Sequence, residues 1–217
     1  TFQVLTKRPE RMLAFFEWAL SRTDIETGET YSVSPNSFDA DTKIFDHWPK
    51  HIPWKGYDNC GPTFPYENVW LGVSVECQAT AEERIPLLLN TPAAVRWISA
   101  EPLFGAIDFA GCWMHSAEAS IHYNFLDKLD WVVVGGESGK SARPMELDWV
   151  RLLRNQCVAT ETPFLFKQWG EHAPNWYCND DGSCKPETIW MDRMGKRMAG
   201  RTLDGRTWDE YPEVRNA

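Results

Sequence analysis

An α/β fold built on a parallel sheet is predicted by three features of this 217-residue chain. Five short apolar runs are nearly continuous rather than alternating, as strands covered on both faces require. Segments with helical spacing separate most of them, at roughly 30 residues per strand–helix unit. Every run ends in polar or charged residues, and in parallel α/β folds the carboxyl ends of the strands form the ligand face.

The elements follow in order. The run at Phe2–Leu5 predicts a first strand. ERMLAFFEWALSR predicts a helix with Pro9 near its start and Met12, Phe15, Phe16 and Leu20 on one face. Residues 23–67, rich in Pro, Gly, Asn and Trp, form an insertion, and a connection this long is a lid, a binding loop or disordered. Val69–Val75 is the second strand. TAEERIPLLLN is the helix after it, with Thr80 and Glu83 as a capping-box pair and Pro86 kinking or shortening it. Val95–Ser99 and Trp131–Val134 are the third and fourth strands. LDWVRLLRNQC turns Leu147, Val150, Leu152 and Leu153 toward a sheet, and Phe164–Phe166 is the fifth strand. Residues 171–217 are a C-terminal extension, in which Asp204-Gly205 marks a turn with a short hairpin upstream. The five strands are expected to lie parallel and adjacent in chain order, within one α/β domain spanning 1–217.

Composition bounds the function. Hydrophobic residues make up 43% and charged residues 24% of the chain, enough for one sizeable core. A net charge of −9 excludes a protein whose whole surface grips nucleic acid, and leaves room for a local basic groove. Arg193, Lys196, Arg197, Arg201 and Arg206 make the extension the most basic part, either a solvated face or a phosphate-binding patch. Twelve Trp residues are unusually many: core packing accounts for most of them, and some are expected at a pocket or interface. The cysteines Cys60, Cys77, Cys112, Cys157, Cys178 and Cys184 form no C-x-x-C pair, which predicts reduced thiols in the cytoplasm. Cys178 and Cys184 with His172 match no standard zinc spacing, so no metal site is assigned. No apolar run has the length of a membrane span.

The strand ends supply the candidate site: TKR, SVE, SAEP, GGES and KQWG. Lys7, Glu76, Glu101, Glu137 and Lys167 are the candidate catalytic groups. Thr6, Ser74, Ser99, Gly135, Gly136, Ser138 and Gln168 are the candidate binding groups. Gly135-Gly136 lets backbone approach a ligand closely beside Glu137. The stretch WVVVGGESGKSARP resembles a nucleotide-phosphate loop, G-x-x-x-x-G-K-[ST], yet the leading glycine is replaced by Val134. Pro144 also falls where the following helix should run. A strand-end ligand loop is the better reading.

Several blocks carry a family resemblance: VLTKRPERM, NVWLGVSVE, ERIPLLLNTPAAVRWISAEPL, DWVVVGGESG with ARPM, PFLFKQWGE and GRTLDGRTWDEYP. Together they resemble an uncharacterised family encoded by phages and bacterial mobile elements, whose members look like radical S-adenosylmethionine (SAM) proteins with a three-cysteine motif. The T-K-R at the end of the first strand is similar to the T-K-S of spore photoproduct lyase-like enzymes. The resemblance implies a partial parallel (β/α) barrel of the radical SAM type, with a [4Fe–4S] cluster bound after its first strand and SAM lying across the strand ends. It places Ser74 and Glu76 near the SAM ribose, and Glu101 and Glu137 near its polar parts or the substrate. It implies a substrate among nucleic acids or nucleotides.

The chain departs from that pattern. None of its six cysteines replaces the three-cysteine motif, because cluster ligation needs closely spaced thiolates. The opening TFQVLTKRPE has no initiator Met and reads as a chain whose beginning is missing, with the motif expected upstream of Thr1. No cofactor is expected in this chain alone; SAM and the cluster are expected of a full-length form. Two other readings compete. One is a barrel hydrolase using Glu76, Glu101 and Glu137 as paired carboxylates. The other is a non-catalytic phage accessory protein that binds a protein partner encoded nearby, through the Trp-rich insertion.

Overall fold

The computed structural model describes residues 1–19, 21–23, 30–32, 65–110, 112–115, 120–178 and 184–213. Five strands form one sheet: β1 (Phe2–Thr6), β4 (Val69–Ser74), β5 (Val95–Ala100), β8 (Trp131–Gly135) and β9 (Phe164–Gln168). They lie in the order β1-β4-β5-β8-β9, every neighbouring pair parallel. Among the described residues three helices accompany the sheet: α1 (Pro9–Ala19), α2 (Gln78–Leu89) and α3 (Leu147–Ala159). Three antiparallel hairpins pair β2 (Ser21–Thr23) with β3 (Thr30–Ser32), β6 (Cys112–His115) with β7 (Ser120–Tyr123), and β10 (His172–Cys178) with β11 (Cys184–Arg193). A short helix, α4 (Lys196–Ala199), follows the last of these. Residues 24–29 and 33–64 of the predicted 23–67 insertion, and Leu20, lie outside the described residues.

Strand periodicity sorts the sheet's side chains into two apolar layers. On one face, Leu71, Val73, Ile98, Val132, Val134, Phe164 and Phe166 share a core with Ile85 and Leu88 of α2 and Val150, Leu153 and Cys157 of α3. On the other, Trp70, Val95, Trp97, Trp131, Val133 and Leu165 form a separate cluster. This double burial is why β4, β5, β8 and β9 read as continuous apolar runs; β1 departs from the expectation, with Phe2, Val4 and Leu5 exposed. The second layer is built around a missing side chain. Gly72 is the register partner of Trp97, and a Cβ on Gly72 would lie 2.4 Å from the indole, so the ring lies directly on the strand.

The C-terminal extension completes the sheet's far edge. Leu165 bridges Asp209 in antiparallel sense; the Phe166 amide donates to the Trp208 carbonyl at 3.0 Å, and the Glu210 amide to Phe164 at 3.2 Å. Trp131 Nε1 donates to the Glu210 carbonyl at 2.8 Å, and the Tyr211 ring sits 5.1 Å from that indole. Upstream, Asp204 (φ 49°) and Gly205 (φ 81°) make the predicted turn, both left-handed as in a type I′ hairpin. Arg151 and Arg154 of α3 clamp the Asp204 carboxylate, each at 2.6 Å.

Three helix expectations are corrected. Phe15 is 49% exposed while its neighbour Phe16 is buried, because the helix turns only one of two adjacent rings inward. Leu152 is 36% exposed for the same reason beside Leu153. Helix α2 begins before Thr80: Cys77 is its N-cap, and the Thr80 hydroxyl accepts the Cys77 amide at 3.1 Å. Thr80 is therefore the third helical residue of the capping box, and Glu83 takes no part in it. Pro86 is accommodated inside the helix, two residues after Arg84.

Candidate functional site at the strand ends

The carboxyl ends of the strands hold three ion-paired groups. At the end of β4, Glu76 accepts Lys7 Nζ at 2.5 Å on one oxygen and Arg84 at 3.0 Å on the other. Arg84 also donates to the Ser74 carbonyl at 2.8 Å, so helix α2 reaches back to the strand it follows. Burial opposes ionisation of Glu76, but the Lys7 hydrogen bond and the Arg84 charge outweigh it and hold the carboxyl below its usual range. Thr6, which ends β1, accepts the Arg8 amide through its hydroxyl at 3.0 Å.

The second group is centred on Glu101, just beyond β5. Lys167 Nζ donates to Glu101 Oε2 at 2.9 Å, and Gln168 Nε2 donates to Oε1 at 3.0 Å. Consecutive strand residues ordinarily point to opposite faces. Here the register slips: Val134 pairs with Phe166, then Gly135 with Gln168, leaving Lys167 as the extra residue. The bulge lets both side chains reach one carboxylate. Gly135 makes room, since a Cβ there would lie 3.0 Å from the Glu101 carboxyl carbon. Gly136 is constrained more severely, because a Cβ would fall 1.8 Å from the Trp169 carbonyl oxygen. Its own carbonyl accepts Gln168 Nε2 at 3.0 Å.

The third group is Glu137 with Arg143. The Arg143 amide and Nε both donate to Glu137 Oε2, at 2.9 and 3.0 Å, and its guanidinium lies 3.5 Å over the Phe104 ring. These hydrogen bonds hold the Glu137 carboxyl below its usual range. The turn after β5 ties the groups together: Leu103 N–H donates to the Gly135 carbonyl at 3.1 Å and Phe104 N–H to the Glu76 carbonyl at 2.7 Å. Between the ion pairs, Ser74 and Ser99 are register partners, 3% and 4% exposed. Ser138 lies exposed in the loop beyond Glu137.

Each predicted rim carboxylate thus has a cation, and two of those cations were missed in the sequence. Arg84 carried a usable signal, because it sits on the helix that turns back along the strand preceding it. Arg143 carried none, because its bond to Glu137 depends on the path of the loop. In that loop three amides already have partners: those of Gly139, Ala142 and Arg143. The Gly139 amide donates to Glu171 at 3.3 Å, Arg193 grips the Gly139 and Lys140 carbonyls, and α3 starts only at Leu147.

Over residues 1–212 the chain matches the model of a family described as a protein of unknown function, DUF5131. The chain belongs to that family. No curated protein and no solved structure matches it. Family membership accounts for the long ordered blocks and assigns no chemistry to them. Among the described residues, no helix is long and apolar enough to cross a membrane.

Proposed function

We propose that the carboxyl-terminal rim of the sheet binds a nucleoside-containing ligand, and that the chain is the barrel portion of a radical-SAM-like enzyme acting on nucleic acid or its precursors. Five parallel strands in chain order, with α-helices in three of their four connections, are compatible with an arc of a (β/α) barrel. The observation that carries the reading is the charge state of the rim. Glu76 and Glu101 are bonded to cations from other elements, and Glu137 to Arg143 of its own loop. The bonds at Glu76 and Glu137 favour their ionised forms, so these two groups orient a polar ligand by charge.

The same observation weighs against the hydrolase reading. Glycoside hydrolysis needs one carboxyl with a raised pKa as general acid. Glu76 and Glu137 are both shifted the other way.

The implied cofactors fit unequally. The rim offers charged and hydrogen-bonding groups of both signs, which suits the polar parts of SAM. The described residues do not fit a [4Fe–4S] cluster: Cys77 caps α2, Cys157 is buried in the core, and no group of three His, Cys, Asp or Glu is placed to hold metal.

Calorimetric titration of SAM and adenosine into the chain tests the proposal. Saturable binding of adenosine is expected, with SAM weaker for want of cluster contacts, and the binding weakened by Glu101→Ala and by Glu76→Ala in variants whose circular dichroism is unchanged. Absence of binding by both ligands, or binding indifferent to both substitutions, would overturn it.

A further inference from the structure

The Glu101 corner contains a buried acceptor with nothing to accept. Gln168 is 7% exposed, and its Oε1 has no hydrogen-bond partner. Its orientation is forced by its neighbours. The amide nitrogen faces two acceptors, Glu101 Oε1 and the Gly136 carbonyl, each at 3.0 Å. Turning the amide over would set its oxygen against both. The nitrogen therefore spends its two hydrogens inward, and the oxygen is left without a donor. A buried acceptor in that position is costly to leave unpaired. Beside it, Lys167 is half exposed and donates to the same carboxylate, which leaves its ammonium further hydrogens to offer. The corner thus holds an unmet acceptor closed off from solvent, on the residue that shares the Glu101 carboxylate with an accessible donor.

We infer that this corner receives the exocyclic amino group of a nucleobase, with Gln168 Oε1 as its acceptor and Lys167 serving the adjacent ring nitrogen. The inference rests on the reading of the rim as a nucleoside site and adds which bases it takes. Adenine and cytosine carry an amino group beside a ring acceptor. Hypoxanthine and uracil place a carbonyl oxygen at that position, where it would meet Gln168 Oε1, acceptor against acceptor. The amino group has two sources, the adenosyl group of SAM or a substrate base.

Titrations of adenosine, inosine, cytidine and uridine into the full chain test it. An amino nucleoside is expected to bind about tenfold or more tightly than its carbonyl counterpart, as an unpaired buried acceptor would dictate. Gln168→Met, similar in size but without the amide, is expected to bring the ratio close to one. If SAM competes with adenosine and suffers the same loss in Gln168→Met, the adenosyl group is the source. If cytidine binds in saturating SAM and carries the loss, the substrate base is the source. Nucleoside binding without preference, or a preference that survives Gln168→Met, overturns this inference and leaves the rim reading standing. Failure of every nucleoside and of SAM to bind overturns both. Should Gln168→Met not fold, the wild-type ratios decide alone, and equal affinities within each pair reject the amino-group acceptor.

Discussion

A single missing methyl group decides how Trp97 packs. Because the indole occupies the space above Gly72, Gly72→Ala drives a Cβ to 2.4 Å from a ring carbon. Overpacking of this kind costs about 1–3 kcal/mol. The urea midpoint should fall accordingly, and Trp97→Phe should restore part of the loss in the double variant because the smaller ring can retreat. Equal losses in the single and double variants would disprove the contact. Glu76 makes a pH prediction at the same scale. Its folded carboxyl lies below the ordinary 4.5, so its contribution to stability is fully present above that value. The contribution is lost as pH falls through the lower, folded value. Glu76→Gln should therefore flatten the dependence of the urea midpoint on pH below about 4.5. A variant whose acid sensitivity matches wild type would show that Lys7 and Arg84 do not stabilise the ionised form.

At the scale of elements, α3 is held from two sides. Its inner face buries Val150, Leu153 and Cys157, all at 0% exposure. Leu153→Ala should cost about 2–5 kcal/mol, because the surrounding strands cannot close over the cavity. Burial in the same apolar layer pushes the Cys157 thiol far up, so it should resist alkylation until the protein unfolds. The outer face clamps the Asp204 turn through Arg151 and Arg154. Those hydrogen bonds, the Arg151 bond first, hold the Asp204 carboxyl below its usual range. Asp204→Asn keeps a residue that tolerates the left-handed backbone and removes the charge. It should cost about 1 kcal/mol and speed amide exchange at residues 208–210, where the extension pairs with β9. Unchanged exchange there would mean the clamp does not hold the extension.

For the whole molecule, the extension is what closes the β9 edge of the parallel sheet. Truncation after Gly205 removes the pairing of residues 208–210 with β9 and the Tyr211 ring from Trp131. An uncovered edge is a template for pairing with another chain. Light scattering should then report concentration-dependent self-association, absent from the longer chain; a monodisperse truncated protein would show that the edge is protected otherwise.

The sequence by itself determined the strands, their parallel sense and their order, because a strand buried on both faces, as β4, β5, β8 and β9 are, leaves a continuous apolar run that survives in one dimension; β1 shows such a run while staying exposed. It also marked the strand ends as polar and the Asp204-Gly205 turn as a turn, since backbone geometry restricts those residue types locally. The tertiary structure alone decided what the polar ends do. Lys7 with Glu76 and Lys167 with Glu101 are pairs 69 and 66 residues apart in the chain. The bulge that aims Lys167 and Gln168 at one carboxylate exists only in the pairing of β8 with β9. The choice between adjacent rings at Phe15 and Phe16 fell the same way. Each depends on a neighbour brought by the fold, and no spacing along the chain records which neighbour arrives.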